Sequence, residues 1–134
     1  MEINSKGLYI LKNNDYIPYE FPKGDVIVCG VPGAFTPGCT NEHLPGFAKN
    51  LDKIDAKVVF VAVNDPSVMD AWNVLHGHPD IDAVADPIAT FSKSIGKDVD
   101  FGDYMGIRCK RYAMLLHDGE FVKFYDDPFV EGVL

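Results

Sequence analysis

Apolar and polar positions follow two regimes along this chain. Near its start, the short segments Leu8-Tyr9-Ile10 and Tyr16-Ile17 flank the turn signal Asn13-Asn14-Asp15 and predict a hairpin. From residue 26 the apolar positions become continuous. Val26-Ile27-Val28-Cys29-Gly30 and Val58-Val59-Phe60-Val61-Ala62-Val63 are unbroken runs, the pattern of strands covered on both faces. Each run is followed by a loop and then by helical spacing: the Pro/Gly-rich stretch 32–38 before a helix from Cys39 towards Leu51, and the turn Asn64-Asp65-Pro66 before a helix over 67–75. A third short run, Ala83-Val84-Ala85, precedes a predicted helix over 89–95, and 96–106 reads as irregular. Finally, segments 112–116 and 121–125 flank His117-Asp118-Gly119-Glu120, whose Asp-Gly is a hairpin signal. Two strand–helix units in series argue for parallel strands. The expected fold class is α/β, with one domain over 1–134, a central mixed sheet flanked by helices, and a closing β-hairpin.

Composition narrows the function classes. A chain of 134 residues, 47% hydrophobic, can bury one real core but not two. Twenty acidic against twelve basic residues give a net charge of -8, which repels phosphate backbones, so nucleic acid is not an expected partner. No apolar run approaches membrane-spanning length, and Met1-Glu2-Ile3-Asn4-Ser5-Lys6 resembles neither a signal core nor an Arg-rich presequence. The expectation is a soluble cytoplasmic protein that contacts no membrane. Cys29, Cys39 and Cys109 are odd in number and contain no CxxC pair, which fits neither a disulfide framework nor a zinc site. His76 and His78, either side of Gly77, read as a solvated turn rather than metal ligands, and no metal or cofactor is expected.

The segment Gly30-Val31-Pro32-Gly33-Ala34-Phe35-Thr36-Pro37-Gly38-Cys39-Thr40 changes the picture, because it puts a cysteine where a loop meets the start of a helix. Unpaired N–H groups and roughly half a positive charge at a helix N-terminus favour a thiolate. A downward shift of about two pKa units is worth about 2.7 kcal/mol and raises the thiolate fraction at neutral pH only about thirtyfold. Fast attack by such a thiolate therefore needs donors that also hold the bond being broken and stabilise charge on the leaving group. The Thr36 hydroxyl and the backbone N–H groups of Gly38 and Cys39 are the local candidates, with a distant cation still required. Pro32 and Phe35 would line an apolar mouth able to admit alkyl chains. Cys29, inside an apolar run, reads as core, as do Trp72 and Phe91. His43 lies four residues beyond Cys39 and reads as a polar helix-surface or capping residue before a base, Pro45 making the helical geometry awkward.

Pro32-x-x-x-Thr36-x-x-Cys39 resembles the peroxiredoxin active-site signature. Residues 30–38 with His43-Leu44-Pro45-Gly46-Phe47 resemble its type II, or peroxiredoxin five, branch. Val63-Asn64-Asp65-Pro66, Val68-Met69-x-Ala71-Trp72, Ala85-Asp86-Pro87, Phe91-x-Lys93 and Lys110-Arg111-Tyr112-Ala113-Met114 follow that branch in order and spacing, over about four-fifths of the chain. The resemblance implies a thioredoxin-like fold, in agreement with the element order. It implies Cys39 as the peroxidatic cysteine, Thr36 as the residue that positions the peroxide, Pro32 as the shield of the sulfur, and Arg111 as the cation. It also implies reduction of hydrogen peroxide and small alkyl hydroperoxides through a sulfenic acid, and a homodimer.

Three departures stand out. The branch's resolving cysteines fall where this chain has Phe60, or near the C-terminus where it has none, so a one-cysteine cycle resolved by an external thiol (glutaredoxin, glutathione or thioredoxin) is expected, with Cys109 the alternative resolving thiol. Only nine residues follow Tyr125, so the closing helix of the family looks truncated and a sheet face open or covered by a partner. Glu42, near the start of the cysteine helix, adds a negative charge that opposes a thiolate. Two other functions share the cysteine: a peroxide sensor or redox relay acting through a partner protein, and a cysteine hydrolase using His43, which lacks any pattern for an orienting Asn or Asp.

Overall fold

The continuous apolar runs become the three parallel strands at the centre of a seven-stranded sheet. The computed structural model describes the backbone of residues 1–134 and every side chain except those of Cys39 and Asn41. In chain order the elements are β1 (Tyr9–Lys12), β2 (Asp15–Pro18), β3 (Asp25–Gly30), α1 (Leu44–Lys49), β4 (Lys57–Ala62), α2 (Pro66–His76), β5 (Ile81–Ala85), α3 (Thr90–Ser94), β6 (Asp98–Asp100), β7 (Ile107–Cys109), β8 (Tyr112–His117), β9 (Glu120–Phe124) and α4 (Val130–Val133). The sheet order is β2-β1-β5-β4-β3-β8-β9, and β6 pairs with β7 separately. β3, β4 and β5 run parallel, with Val28 opposite Val59 and Phe60 opposite Ala83; β8 runs antiparallel to β3, and β1 antiparallel to β5.

The period of two explains why these runs have no polar gaps. Ile27, Cys29, Val58, Phe60, Ala62, Ile81, Ala83 and Ala113 face one core, closed by Leu44 and Phe47 of α1, Met69 and Trp72 of α2, and Val130 of α4. Val26, Val28, Val59, Val61, Val84, Met114 and Leu116 face the other, with Phe91 and Ile95 from the α3 side. Both predicted hairpins close through consecutive left-handed residues, Asn13 and Asn14 at φ 52° and 64°, Asp118 and Gly119 at φ 50° and 81°. No helix is long and apolar enough to cross a membrane among the described residues.

Three expectations need correction. The helix expected from Cys39 towards Leu51 is broken: residues Cys39–His43 form a wide π turn, α1 is a separate six-residue helix, and Leu51–Lys53 is a 3₁₀ turn. Pro45 falls in the first turn of α1, where its missing N–H costs no hydrogen bond. The stretch 96–106 is not wholly irregular, since Asp98–Asp100 pairs with Ile107–Cys109; strands of three residues are too short to leave a periodic signal. The residues beyond Tyr125 do not leave the face bare. They fold back as the one-turn helix α4, which sends Val130, 5% exposed, into the first core.

Candidate active site

Sheet register sets the site's position. β3 ends at Gly30, paired with Val61 on one side and Tyr112 on the other. The loop leaving β3 therefore emerges beside the residues that enter β8, and Arg111 stands immediately before that strand. Gly30 permits this approach: a Cβ there would lie 1.9 Å from the Tyr112 ring. Arg111 is thus brought opposite the 32–38 loop by pairing between segments some eighty residues apart, which no local pattern signals.

The loop is held from within and from the side. Thr36 donates its hydroxyl to the Gly33 carbonyl at 2.6 Å, and its own carbonyl accepts from the Thr40 N–H at 2.9 Å, starting the helical turn. The Asn64 side-chain oxygen accepts from the Ala34 N–H at 2.9 Å, while the Val31 N–H bonds the Val61 carbonyl at 3.0 Å. Trp72 on α2 donates to the Thr40 hydroxyl at 3.1 Å. Phe35 takes a left-handed conformation at φ 63° and stays half exposed, its ring edge-on to His76 with centroids 6.1 Å apart. Pro32 and Thr36 are partly buried, and Gly38 is exposed.

The cation comes to the start of the cysteine turn. Arg111 Nη2 lies 3.1 Å from the position a Cβ on Gly38 would occupy, so the guanidinium edge faces the backbone just before Cys39. The Cys39 side chain, the nucleophile expected from the sequence, lies outside the described residues. Arg111 Nη1 bonds His43 Nδ1 at 2.7 Å, and the guanidinium carbon sits 5.2 Å from the centre of the Phe129 ring.

His43 is where sequence reasoning went astray. It stands at the N-cap position of α1 but makes no side-chain cap hydrogen bond, and it is not on the surface: its side chain is fully buried. The π turn carries it inward among Phe47, Phe60 and Phe129, ring centroids 5.7, 5.1 and 4.9 Å away. Its Nε2 lies 2.8 Å from the Pro128 carbonyl. Burial, then the Arg111 charge, push its pKa down to about 4, only partly offset by the Pro128 hydrogen bond and Asp127. An imidazole that takes up a proton only near pH 4 is a weak base, and both of its nitrogens are already engaged, which weakens a hydrolase using His43.

Several participants were not foreseen. Asn64 and Trp72 were read as turn and core, and they also pin the loop and the helical turn; Pro128 and Phe129 carried no signal at all. Arg108, partly buried, donates to the Val63 carbonyl at 3.0 Å and to Met105 at 2.9 Å, bracing the strand end next to Gly33. Cys29 is core on β3, as expected, and burial pushes its thiol well up. Cys109 is buried at the end of β7 and donates to the Lys110 carbonyl at 2.9 Å. His78 takes a turn role, its Nδ1 accepting from the Asp80 N–H. A groove of about 860 Å³ between the β1–β2 hairpin and α2 contains none of the residues expected to carry the chemistry.

Comparison with known proteins follows the same geometry. The family model described as Redoxin matches residues 10–132. Peroxiredoxin-2C of Oryza sativa subsp. japonica is 40% identical over 98 residues, covering 67% of this chain and 59% of its own. The prxA protein of Emericella nidulans, assigned to the peroxiredoxins, is 42% identical over 125 residues, 89% of this chain and 70% of its own. Between them, the chain spans 59% to 70% of the length of these curated relatives. A crystal structure of reduced Prx3 from Vibrio vulnificus, in complex with hydrogen peroxide, superposes with a TM-score of 0.86 at 31% identity, covering 92% of this chain and 84% of that one.

Proposed function

The chain belongs to the Redoxin family, on its type II peroxiredoxin branch, and on that footing we propose that it is a thiol-dependent peroxidase reducing hydrogen peroxide and small alkyl hydroperoxides through Cys39. The observation that carries this reading is the guanidinium of Arg111, held 3.1 Å from the Cβ position of Gly38 at the start of the cysteine turn. A fixed cation at that point stabilises a thiolate on residue 39 and the charge that develops on oxygen as the O–O bond breaks.

The residues divide the work as follows. The Cys39 thiolate attacks one peroxide oxygen; an S–O bond forms, the O–O bond breaks, and the departing oxygen leaves as water or an alcohol once it takes up a proton. Thr36, its hydroxyl proton committed to Gly33, presents oxygen lone pairs that can accept a hydrogen bond from the incoming O–H and orient it. Pro32 shields the sulfur from water, and Phe35 with Gly38 forms the mouth. The sulfenic acid then condenses with an external thiol (glutaredoxin, glutathione or thioredoxin) and releases water, and a second thiol frees Cys39. This one-cysteine cycle fits the burial of Cys29 and Cys109 and belongs in a thiol-reducing compartment, for which we propose the cytoplasm. The half-exposed Phe35, edge-on to His76, offers a surface for a homodimer, to be read by sedimentation equilibrium.

The test is rapid quench of the reduced protein with equimolar hydrogen peroxide, with the modified site read by mass. Oxidation confined to Cys39, far faster than an unactivated thiol, lost in Cys39→Ser and slowed about a hundredfold in Arg111→Gln, is the expected result. Oxidation at unactivated-thiol speed, with a partner protein trapped on Cys39, would replace the peroxidase with a redox relay.

A further inference from the structure

We propose that the C-terminal turn, residues 127–133, is a positioning strap for Arg111, acting through His43. The inference rests on the peroxidase reading for its consequence, but not for its geometry.

His43 has two ring nitrogens and two partners. Nε2 faces a carbonyl, Pro128 O at 2.8 Å, which can only accept; Nδ1 faces Arg111 Nη1 at 2.7 Å, which can only donate. One protonation state satisfies both: the neutral ring with its proton on Nε2. The other neutral tautomer sets two donors against each other at Arg111 and two acceptors at Pro128, and the imidazolium sets a donor against the guanidinium. The Pro128 carbonyl thus fixes the tautomer, and the tautomer supplies the acceptor that holds Arg111.

The strap is itself anchored. Phe129 covers both partners, its ring 4.9 Å from that of His43 and 5.2 Å from the guanidinium carbon. Val130 is buried in the core next to Gly46 of α1, where an added Cβ would meet it at 3.3 Å. The turn closes tightly enough that a Cβ on Gly132 would lie 2.0 Å from the Asp127 carbonyl, and Asp127 accepts from the Phe129 N–H at 2.9 Å. Alanine at 132 must therefore open the turn while touching neither His43 nor Arg111.

The experiment combines two readouts on the full chain. Ring ¹⁵N shifts report the His43 tautomer, and rapid quench with hydrogen peroxide reports the oxidation rate of Cys39, with thermal melts confirming that each variant is folded. In the native protein Nε2 is expected to carry the proton. Gly132→Ala and Phe129→Ala should mix the tautomers and slow oxidation about tenfold. His43→Leu should slow it similarly, and His43→Gln should recover most of the rate, since an amide can accept from Arg111 and donate to Pro128. In an Arg111→Gln background, His43→Leu should add no further loss, because its effect passes through that arginine.

A native ring protonated on Nδ1, strap variants as fast as the native chain, or losses that add to that of Arg111→Gln would each overturn the strap. A native protein that oxidises slowly, yet keeps Nε2 protonated and loses that state in Gly132→Ala, would uphold the strap and overturn the peroxidase reading.

Discussion

At the scale of single residues, the informative pair is two histidines with opposite linkage. His43 is buried, and its folded pKa of about 4 lies below the ordinary 6.5. The charges facing it are Arg111, which opposes protonation, and Asp127, which favours it; the packed rings of Phe47, Phe60 and Phe129 are neutral. The folded state holds this ring neutral while the unfolded chain protonates it. Its contribution is therefore complete above about pH 6.5 and is lost as the pH falls towards 4, on the order of 3 kcal/mol in all. His117 has the other sign. Its pKa is raised by a hydrogen bond to Asp25 and by the charge of Asp118, so its contribution is present at low pH and fades as pH rises through the folded value. Urea unfolding at pH 7 and pH 5 should show a loss of stability in the native protein that His43→Gln removes; an equal loss in both would mean that other groups carry the acid sensitivity. The sequence offered Cys39, Thr36 and Pro32 as candidates because the signature holds them in one segment, whereas Arg111 entered only through the family resemblance of residues 110–114. It misplaced His43 because spacing arguments assume 3.6 residues per turn, and a π turn breaks that assumption.

At the scale of elements, the same limit recurs. Long apolar runs announced β3 and β4, and Asp-Gly announced the β8–β9 turn, because each signal is contained within its own segment. Helix starts were only half legible. Asp65 caps α2 conventionally, accepting from the Val68 N–H at 2.9 Å at the protein surface. Asp86, which the sequence offered as part of the family resemblance, is fully buried and organises α3 from outside it: one carboxylate oxygen accepts from the Phe91 N–H at 3.0 Å, the other from the Ser92 N–H at 2.8 Å and the Ser92 hydroxyl at 2.7 Å. The α3 cap position itself, Ala89, has no side chain to serve and sits at φ 63°. Removing each acid should separate the two roles. Asp65→Ala is expected to cost about 1 kcal/mol, the ordinary value of a surface cap. Asp86→Ala leaves three buried donors without an acceptor and should cost about 3 kcal/mol or more. Chemical denaturation of the two variants measures the difference, and equal costs would show that α3 finds other acceptors.

At the scale of the whole molecule, topology decides what a one-dimensional pattern cannot: which thiol can meet which. The sheet places Cys29 next to the last residue of β3, flanked by Phe60 and Ala113, and packs Cys109 into the opposite core at the end of β7. Neither side chain is accessible, and burial raises the Cys29 pKa, which removes its thiolate as well. The register that brings Arg111 to the cysteine loop through the Gly30–Tyr112 pair also binds β8 along the whole length of β3, six paired residues from Asp25 to Gly30. Exposing Cys29 would mean parting the centre of the sheet, an opening with a free energy close to that of global unfolding. An internal disulfide is therefore not the expected fate of an oxidised Cys39. One equivalent of peroxide, with no other thiol present, should leave a product heavier by a single oxygen on Cys39, and glutathione added afterwards should convert it to a mixed disulfide at that residue. Loss of two hydrogens, with a peptide linking Cys39 to Cys109, would show that β7 detaches from its core during turnover, and would make the cycle a two-cysteine one.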